Sequence, residues 1–242
     1  MSEHIVETAA PAEDDSYHFL ITRLHSLTGL VPIGAYLIIH LATNARIWIP
    51  GDYQKAVDQI HSLGPLLLPV EIVFIFLPLL FHSIIGFQII FSGKANARYY
   101  PYRANIRYTL QRITGIIAFF FIVYHVLQLH WLGKPLGGGK FDPHDAAGSA
   151  RAAIQAAWWI APVYAIGVLA SVYHLANGIW TSLITWGITI RPKSQQVAGY
   201  VCAAFGIVLS LVGLGALNGF RTLTGNNSPG ASSHAERVEH GN

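Results

Sequence analysis

Cysteine and methionine are almost absent from this 242-residue chain, with Cys202 and Met1 the single occurrences. One thiol excludes a disulfide framework, a thiolate-held iron–sulfur cluster within the chain and a C-x-x-C-H site for covalently attached haem. With methionine equally scarce, the iron ligands of a cytochrome would have to be histidines. Charge is scarce too, at 11% of residues, against roughly 25% in an ordinary soluble domain. Residues 1–17 contain no Lys or Arg, so the start lacks the positive region of a secretory signal. Its Glu3, Glu7, Glu13, Asp14 and Asp15 mark a soluble tail. Conversely, no acidic residue interrupts the stretch 92–112, which carries Lys94, Arg98, Arg103, Arg107 and Arg112.

What the chain has in abundance is apolar length. Hydrophobic residues make up 52% of it, gathered into blocks, and a helix needs ~20 such residues to cross a hydrocarbon core. The blocks 22–47, 66–91, 108–132, 158–187 and 197–220 meet that length. All five are expected to be helices, because in lipid the backbone has to satisfy its own hydrogen bonds. The fold class is thus an all-α integral membrane protein of five transmembrane helices in a bundle. It comprises a soluble tail over 1–17, a membrane domain over 18–221, and a disordered Asn-, Ser- and Gly-rich tail over 222–242. Pro32, Pro78 and Pro162 fall inside spans, where neighbouring helices can cover the freed carbonyls. Between spans, 53–63 reads as a short surface helix, whereas Gly137, Gly138, Gly139 and Pro143 predict an irregular second outer connection.

The net charge of +3 lies in the connections, the pattern of membrane topology and not of a nucleic-acid surface. The basic stretch 92–112 and the pair Arg191 and Lys193 are assigned to the cytoplasm, which puts the N-terminus inside and the C-terminus outside. Trp48, Trp131, Trp158 and Trp159 fall near outer ends and fit an aromatic belt.

Four of the twelve histidines lie deep in spans, one in each of the first four: His40, His82, His125 and His174. With spans alternating in direction, His40 and His125 share an outer level, and His82 and His174 share an inner one. The levels differ by roughly 14 Å at a helical rise of ~1.5 Å per residue. A haem whose iron takes one imidazole from each of two facing helices needs this arrangement. Two pairs would hold two haems, each closed to oxygen and suited to electron transfer. A lone membrane histidine is more often an interhelical hydrogen-bonding residue or part of a proton relay; four on four helices, paired in depth, favour haem. Gly86 and Gly178, one turn beyond the inner histidines, would let a porphyrin approach the backbone. An internal duplication is also suggested: Thr28-Gly29 precedes His40 much as Thr114-Gly115 precedes His125, and His82-x3-Gly86 matches His174-x3-Gly178.

At these residues the chain resembles the cytochrome b membrane-anchor subunit of succinate dehydrogenase (succinate:quinone oxidoreductase), of the single-subunit, five-helix, dihaem type. The matching segments include Arg23-Leu24-His25-Ser26-Leu27, Ile39-His40-Leu41, Phe76-Leu77-Pro78-Leu79 with His82, and Leu110-Gln111-Arg112-Ile113-Thr114-Gly115-Ile116. Tyr124-His125-Val126, His174-Leu175-Ala176-Asn177-Gly178 and Arg191-Pro192-Lys193-Ser194-Gln195 belong to the same pattern. The resemblance implies a bacterial cytoplasmic-membrane anchor for a flavoprotein subunit with FAD and an iron–sulfur subunit, with no dicarboxylate site of its own. It further implies two b haems, the inner on His82 and His174 and the outer on His40 and His125, passing electrons to a quinone, menaquinone in this branch. Whether such complexes pair as dimers is left open. Related fumarate reductases run the sequence backwards and carry an acidic residue two positions before the fourth haem histidine; Val172 stands there, which favours succinate oxidation.

Haem propionates need cationic or hydrogen-bonding partners, and Arg23, His25, Ser26, Arg112, Arg191 and Lys193 lie at the inner edge. The ordinary role of any single one is to snorkel to headgroups, enforce topology or dock soluble subunits, with His25 and Arg112 the best-placed exceptions. Glu71, a carboxylate within a span, either exchanges protons with a quinone near the outer haem or simply reaches the outer interface. His61, His130 and His144 read as solvated. The competing functions are a quinol-oxidising dihaem anchor, as in fumarate reductase or a nitrate-reductase-like complex, and a haem-free transporter bundle whose histidines relay protons.

Overall fold

The computed structural model describes residues 13–92 and 102–223. The expectations for residues 1–12 and 224–242, and for Lys94 and Arg98, lie outside the described residues. Within them the chain is all-helical, and five helices are long and apolar enough to cross a membrane: Phe19–Trp48, Gly64–Ser92, Asn105–Leu129, Ile160–Thr185 and Pro192–Thr222. These are the five expected spans, shifted by a few residues at their ends. The first continues a helix that begins at Glu13. The third stops at Leu129 because His130 turns to an extended backbone, φ −72° and ψ 150°.

Proline leaves local marks. Pro32 sits in a π-helical turn, Gly29–Gly34, where the wider winding tolerates a residue with no N–H to give. A second such turn, Ile72–Phe76, falls between Pro69 and Pro78.

The fourth span is central: half of its most apolar stretch is buried, against none of the second span's. It packs on the third and fifth spans, and the fifth also packs on the first. Without a hydrophobic drive between helices in lipid, small residues set such contacts by letting backbones approach. On the fifth span the buried positions Gly199, Cys202, Gly206, Leu209, Gly213, Ala216 and Gly219 form one stripe at helical spacing, and Leu209 joins Leu41, Val172 and Leu175 in an apolar cluster. On the fourth span, a methyl at Gly167 would overlap the Phe121 ring of the third. Gly167→Ala is therefore expected to cost ~1–3 kcal/mol by overpacking, read as a lower thermal midpoint of the solubilised protein. Gly215→Ala, which meets nothing within 4 Å, should leave that midpoint in place.

The end of the bundle that the charge pattern assigns to the outside is closed by a layer of surface structure. The short helix expected over 53–63 is present as Asp52–His61. The second outer connection departs from expectation: it contains a helix, Ala146–Gln155. Its run of alanines favours helix, and the Asp145 side chain caps it by accepting from the Gly148 N–H at 3.1 Å. The glycines before it masked a good helix start. Ile47, Tyr53, Val57, Ala146, Ala150, Ile154 and Phe220 form a buried apolar cluster beneath this layer. Gln54 locks the two surface helices together, donating to Pro143 O at 2.7 Å and accepting from Ala146 N at 3.0 Å. At its rim Arg46 grips both oxygens of Asp52, at 2.7 and 2.9 Å, and holds that carboxyl below the usual carboxylate range.

Candidate functional site

The four histidines meet as two couples on four different helices. His82 of the second span faces His174 of the fourth, ring centres 6.1 Å apart and nearly perpendicular. His40 of the first span faces His125 of the third, ring centres 5.7 Å apart. Two imidazole nitrogens each ~2 Å from one metal leave ring centres about 6 Å apart, so both couples have the spacing a shared iron requires.

Hydrogen bonds decide which ring nitrogen is free. His82 Nδ1 lies 2.9 Å from His25 O, and His174 Nδ1 lies 3.0 Å from Gln111 O. A carbonyl only accepts, so each Nδ1 carries the proton and each Nε2 keeps its lone pair. Both bonds use the same local device. Each acceptor carbonyl is followed four residues later by a glycine, Gly29 or Gly115, on the same helix face. A Cβ on Gly115 would fall 2.8 Å from His174 Cε1, and one on Gly29 would run into His82 Cε1. Since residues i and i+4 lie one above the other on a helix, a glycine there opens the carbonyl's second lone pair to a ring from the next helix. The Thr-Gly echo in the sequence therefore serves the inner couple, not the outer histidines by which it was noticed.

The outer couple is held by side chains. Gln128 Nε2 donates to Ala153 O at 2.9 Å, which turns its Oε1 toward Tyr164. The Tyr164 hydroxyl donates to that oxygen at 2.7 Å, so at 3.2 Å from His125 Nδ1 it can only accept. His125 thus has the same tautomer as the inner pair, anchored through Gln128 to the surface helix Ala146–Gln155. His40 stacks on Tyr36, centres 5.4 Å apart.

A cavity of about 560 Å³ opens beside the inner couple, among the first four spans, within the range of sites that enclose a cofactor. His25, His82, Gly86, His174 and Gly178 all line it. His25 stacks on His82, ring centres 4.0 Å apart, and its Nδ1 is buried with no hydrogen-bond partner. An anionic oxygen of a bound group would satisfy that nitrogen. Three imidazoles whose Nδ1 is spent on an acceptor, a cavity against one pair and an orphaned nitrogen within it fit a metal that brings further ligands of its own.

Of the inner-edge residues singled out for propionates, Arg23, His25, Ser26 and Arg112 line the cavity. Arg191 and Lys193 are exposed and are not among its lining residues. Ser26 Oγ meets Ser182 Oγ at 2.7 Å, and Arg23 donates to Thr185 O. Glu71 points at the third span's end, where its Oε2 lies 3.4 Å from His130 Nε2. His130, expected to be solvated, is partly buried and packs edge-on against Phe76; His61 and His144 are exposed as expected. Gln111, Tyr164, Gln128 and His130 carried no role in the sequence reading, because no spacing rule ties them to the histidines they touch.

A sequence profile of the succinate dehydrogenase/fumarate reductase transmembrane subunit family matches residues 98–213. The chain is also 36% identical over 203 residues to the succinate dehydrogenase cytochrome b558 subunit of Bacillus subtilis (strain 168), covering 84% of this chain and 96% of that one. The chain belongs to the succinate dehydrogenase/fumarate reductase transmembrane subunits, as a five-helix, cytochrome b-type subunit homologous to cytochrome b558.

Proposed function

We propose that this chain is the membrane anchor and electron-transfer subunit of a succinate:menaquinone oxidoreductase, holding two b haems between an iron–sulfur subunit and a membrane quinone. The observation that carries this reading is the pair of imidazole couples at two levels, with ring spacings of 6.1 and 5.7 Å. In three of the four rings the N–H is spent on an acceptor, which leaves Nε2 as a ligand atom. A haem held by these imidazoles would supply one-electron transfer.

His82 and His174 would hold the inner group and His40 and His125 the outer one. His25, with its unpartnered Nδ1, Ser26 and Arg112 would receive the inner propionates; Lys193, away from the cavity lining, is the weakest member of that set. FAD and the iron–sulfur clusters would reside in the partner flavoprotein and iron–sulfur subunits, docked on the basic end. Val172, where the fumarate reductase branch has an acid, is fully buried among Leu41, Leu175 and Leu209. An unpaired carboxylate in that apolar packing would be costly to bury, which favours the succinate-oxidising direction over quinol:fumarate reduction.

Dithionite-reduced purified protein should show b-type bands with two haems per chain. A colourless protein would leave the haem-free proton-relay bundle standing instead. Glu71, whose Oε2 lies 3.4 Å from His130 Nε2, is assigned proton delivery to quinone near the outer couple. Glu71→Gln should lower succinate:quinone activity by roughly 10²-fold while succinate-driven reduction of a water-soluble dye is retained. Equal loss in both assays would assign Glu71 to assembly.

A further inference from the structure

His174 is gripped differently from the other three histidines. Gln111 holds it twice: its backbone carbonyl accepts from His174 Nδ1 at 3.0 Å, and its side-chain Nε2 donates to His174 O at 3.1 Å. The Gln111 side chain is itself oriented from behind. Asn177 Nδ2 donates to Gln111 Oε1 at 2.8 Å, and Arg107 Nε donates to Asn177 Oδ1 at 2.9 Å. A guanidinium can only donate, so it fixes the Asn177 amide, which in turn fixes that of Gln111. The dipoles of all three groups point one way, from the cation toward the backbone of His174.

The relay is also braced, and its middle member is buried. Asn177 is 3% exposed and both ends of its amide are used. The Arg107 guanidinium lies 3.6 Å from the Trp180 ring centre, a favourable seat for a cation away from water. Trp180 is tied to the first turn of the fifth span's helix by donating to Gln195 O at 2.8 Å. Among the described residues no carboxylate pairs with Arg107, so its charge is not cancelled locally. Low surrounding polarity strengthens such a series, with each bond polarising the next by perhaps 10–30%. His82, by contrast, has one carbonyl bond and a stacked neighbour.

The geometry points to Arg107, Asn177 and Gln111 as a positioning relay that fixes the plane of the His174 imidazole and raises the midpoint potential of the iron it ligates. The inference rests on His174 being a haem ligand. A net positive charge favours the form of the centre that has gained an electron, and the relay carries that charge to the ligand's backbone while remaining outside the ligand set. Neither Arg107 nor Asn177 touches the reacting atoms.

The test uses the purified complex with its haems, in a potentiometric titration followed optically and by low-temperature EPR. The inner signal is the one abolished by His174→Ala. Arg107→Gln should shift that signal's midpoint to more negative potential and leave the other haem unmoved, whereas Arg107→Lys should retain most of the wild-type value. Asn177→Leu, similar in volume but unable to bridge, should alter the low-spin EPR signature of the same haem. Wild-type potentials and signatures in both Arg107→Gln and Asn177→Leu, or equal shifts of both haems, would overturn the relay while leaving the ligand assignment intact. Wild-type protein without haem would overturn both. Should Asn177→Leu fail to assemble, the Arg107→Gln and Arg107→Lys pair decides alone, since both keep a hydrogen-bond donor.

Discussion

Replacing His174 with alanine should lower the haem content from about two per chain to about one, with the remaining absorbance belonging to the other couple. His82→Ala should remove the same spectral component, because each haem would require one nitrogen from each of two spans and the ring centres of this pair are 6.1 Å apart. His40→Ala and His125→Ala should remove the other component. The prediction is sharp because the two couples share no residue: the inner rings are bonded to His25 O and Gln111 O, and the outer one to Tyr164. Loss of the same component in all four variants would show that the histidines do not act as two pairs. Succinate-driven reduction should fail altogether in the inner variants, where the first membrane carrier would be missing.

The second large effect is expected from single methyl groups. Gly115→Ala puts a carbon 2.8 Å from His174 Cε1, and Gly29→Ala puts one into the edge of the His82 ring. The ring cannot keep its bond to the carbonyl four residues back and also make room, so the ligand rotates or its Nδ1–H is orphaned. Losing the partner that orients a ligating histidine typically costs ~10–100-fold in metal affinity. The inner haem should therefore be depleted in either variant and the outer one retained. Gly86 and Gly178 provide the contrast. A methyl at Gly86 would lie 3.4 Å from His25 Cε1 and one at Gly178 3.5 Å from Gln111 Nε2, ordinary contacts that displace no ligand. Haem loss on alanine substitution there would instead report the porphyrin itself lying against the backbone. Retention of both haems in Gly29→Ala and Gly115→Ala would remove the glycines from the account.

The two results bear on different parts of what was readable in advance. His40, His82, His125 and His174 stood out because an imidazole within a 20-residue apolar block is costly and has to be used or paired. Their sorting into levels needed only a helical rise and alternating directions. The roles of Gly29 and Gly115 were not readable, although their Thr-Gly echo was. Their meaning lies in a ring on another helix, and no periodicity within one span reports the rotation of its neighbour. The helix Ala146–Gln155 was hidden for a local reason, since three consecutive glycines outweigh the capping signal of Asp145 when the apolar layer beneath is not yet known. His130 was misjudged for the same want of context: its position at a span's end says nothing of Glu71, 59 residues away.

By itself the sequence determined how many times the chain crosses the bilayer, that every crossing is helical, and which four imidazoles sit at membrane depth. Lipid imposes those outcomes on each segment separately, through its thickness and its inability to hydrogen-bond to a bare backbone. Only the tertiary structure decided which carbonyl each histidine uses, which nitrogen is left for a metal, and that Arg107 reaches His174 through two amides. Those features depend on how one helix is turned against the next, and that rotation is set by contacts between small residues far apart in the chain.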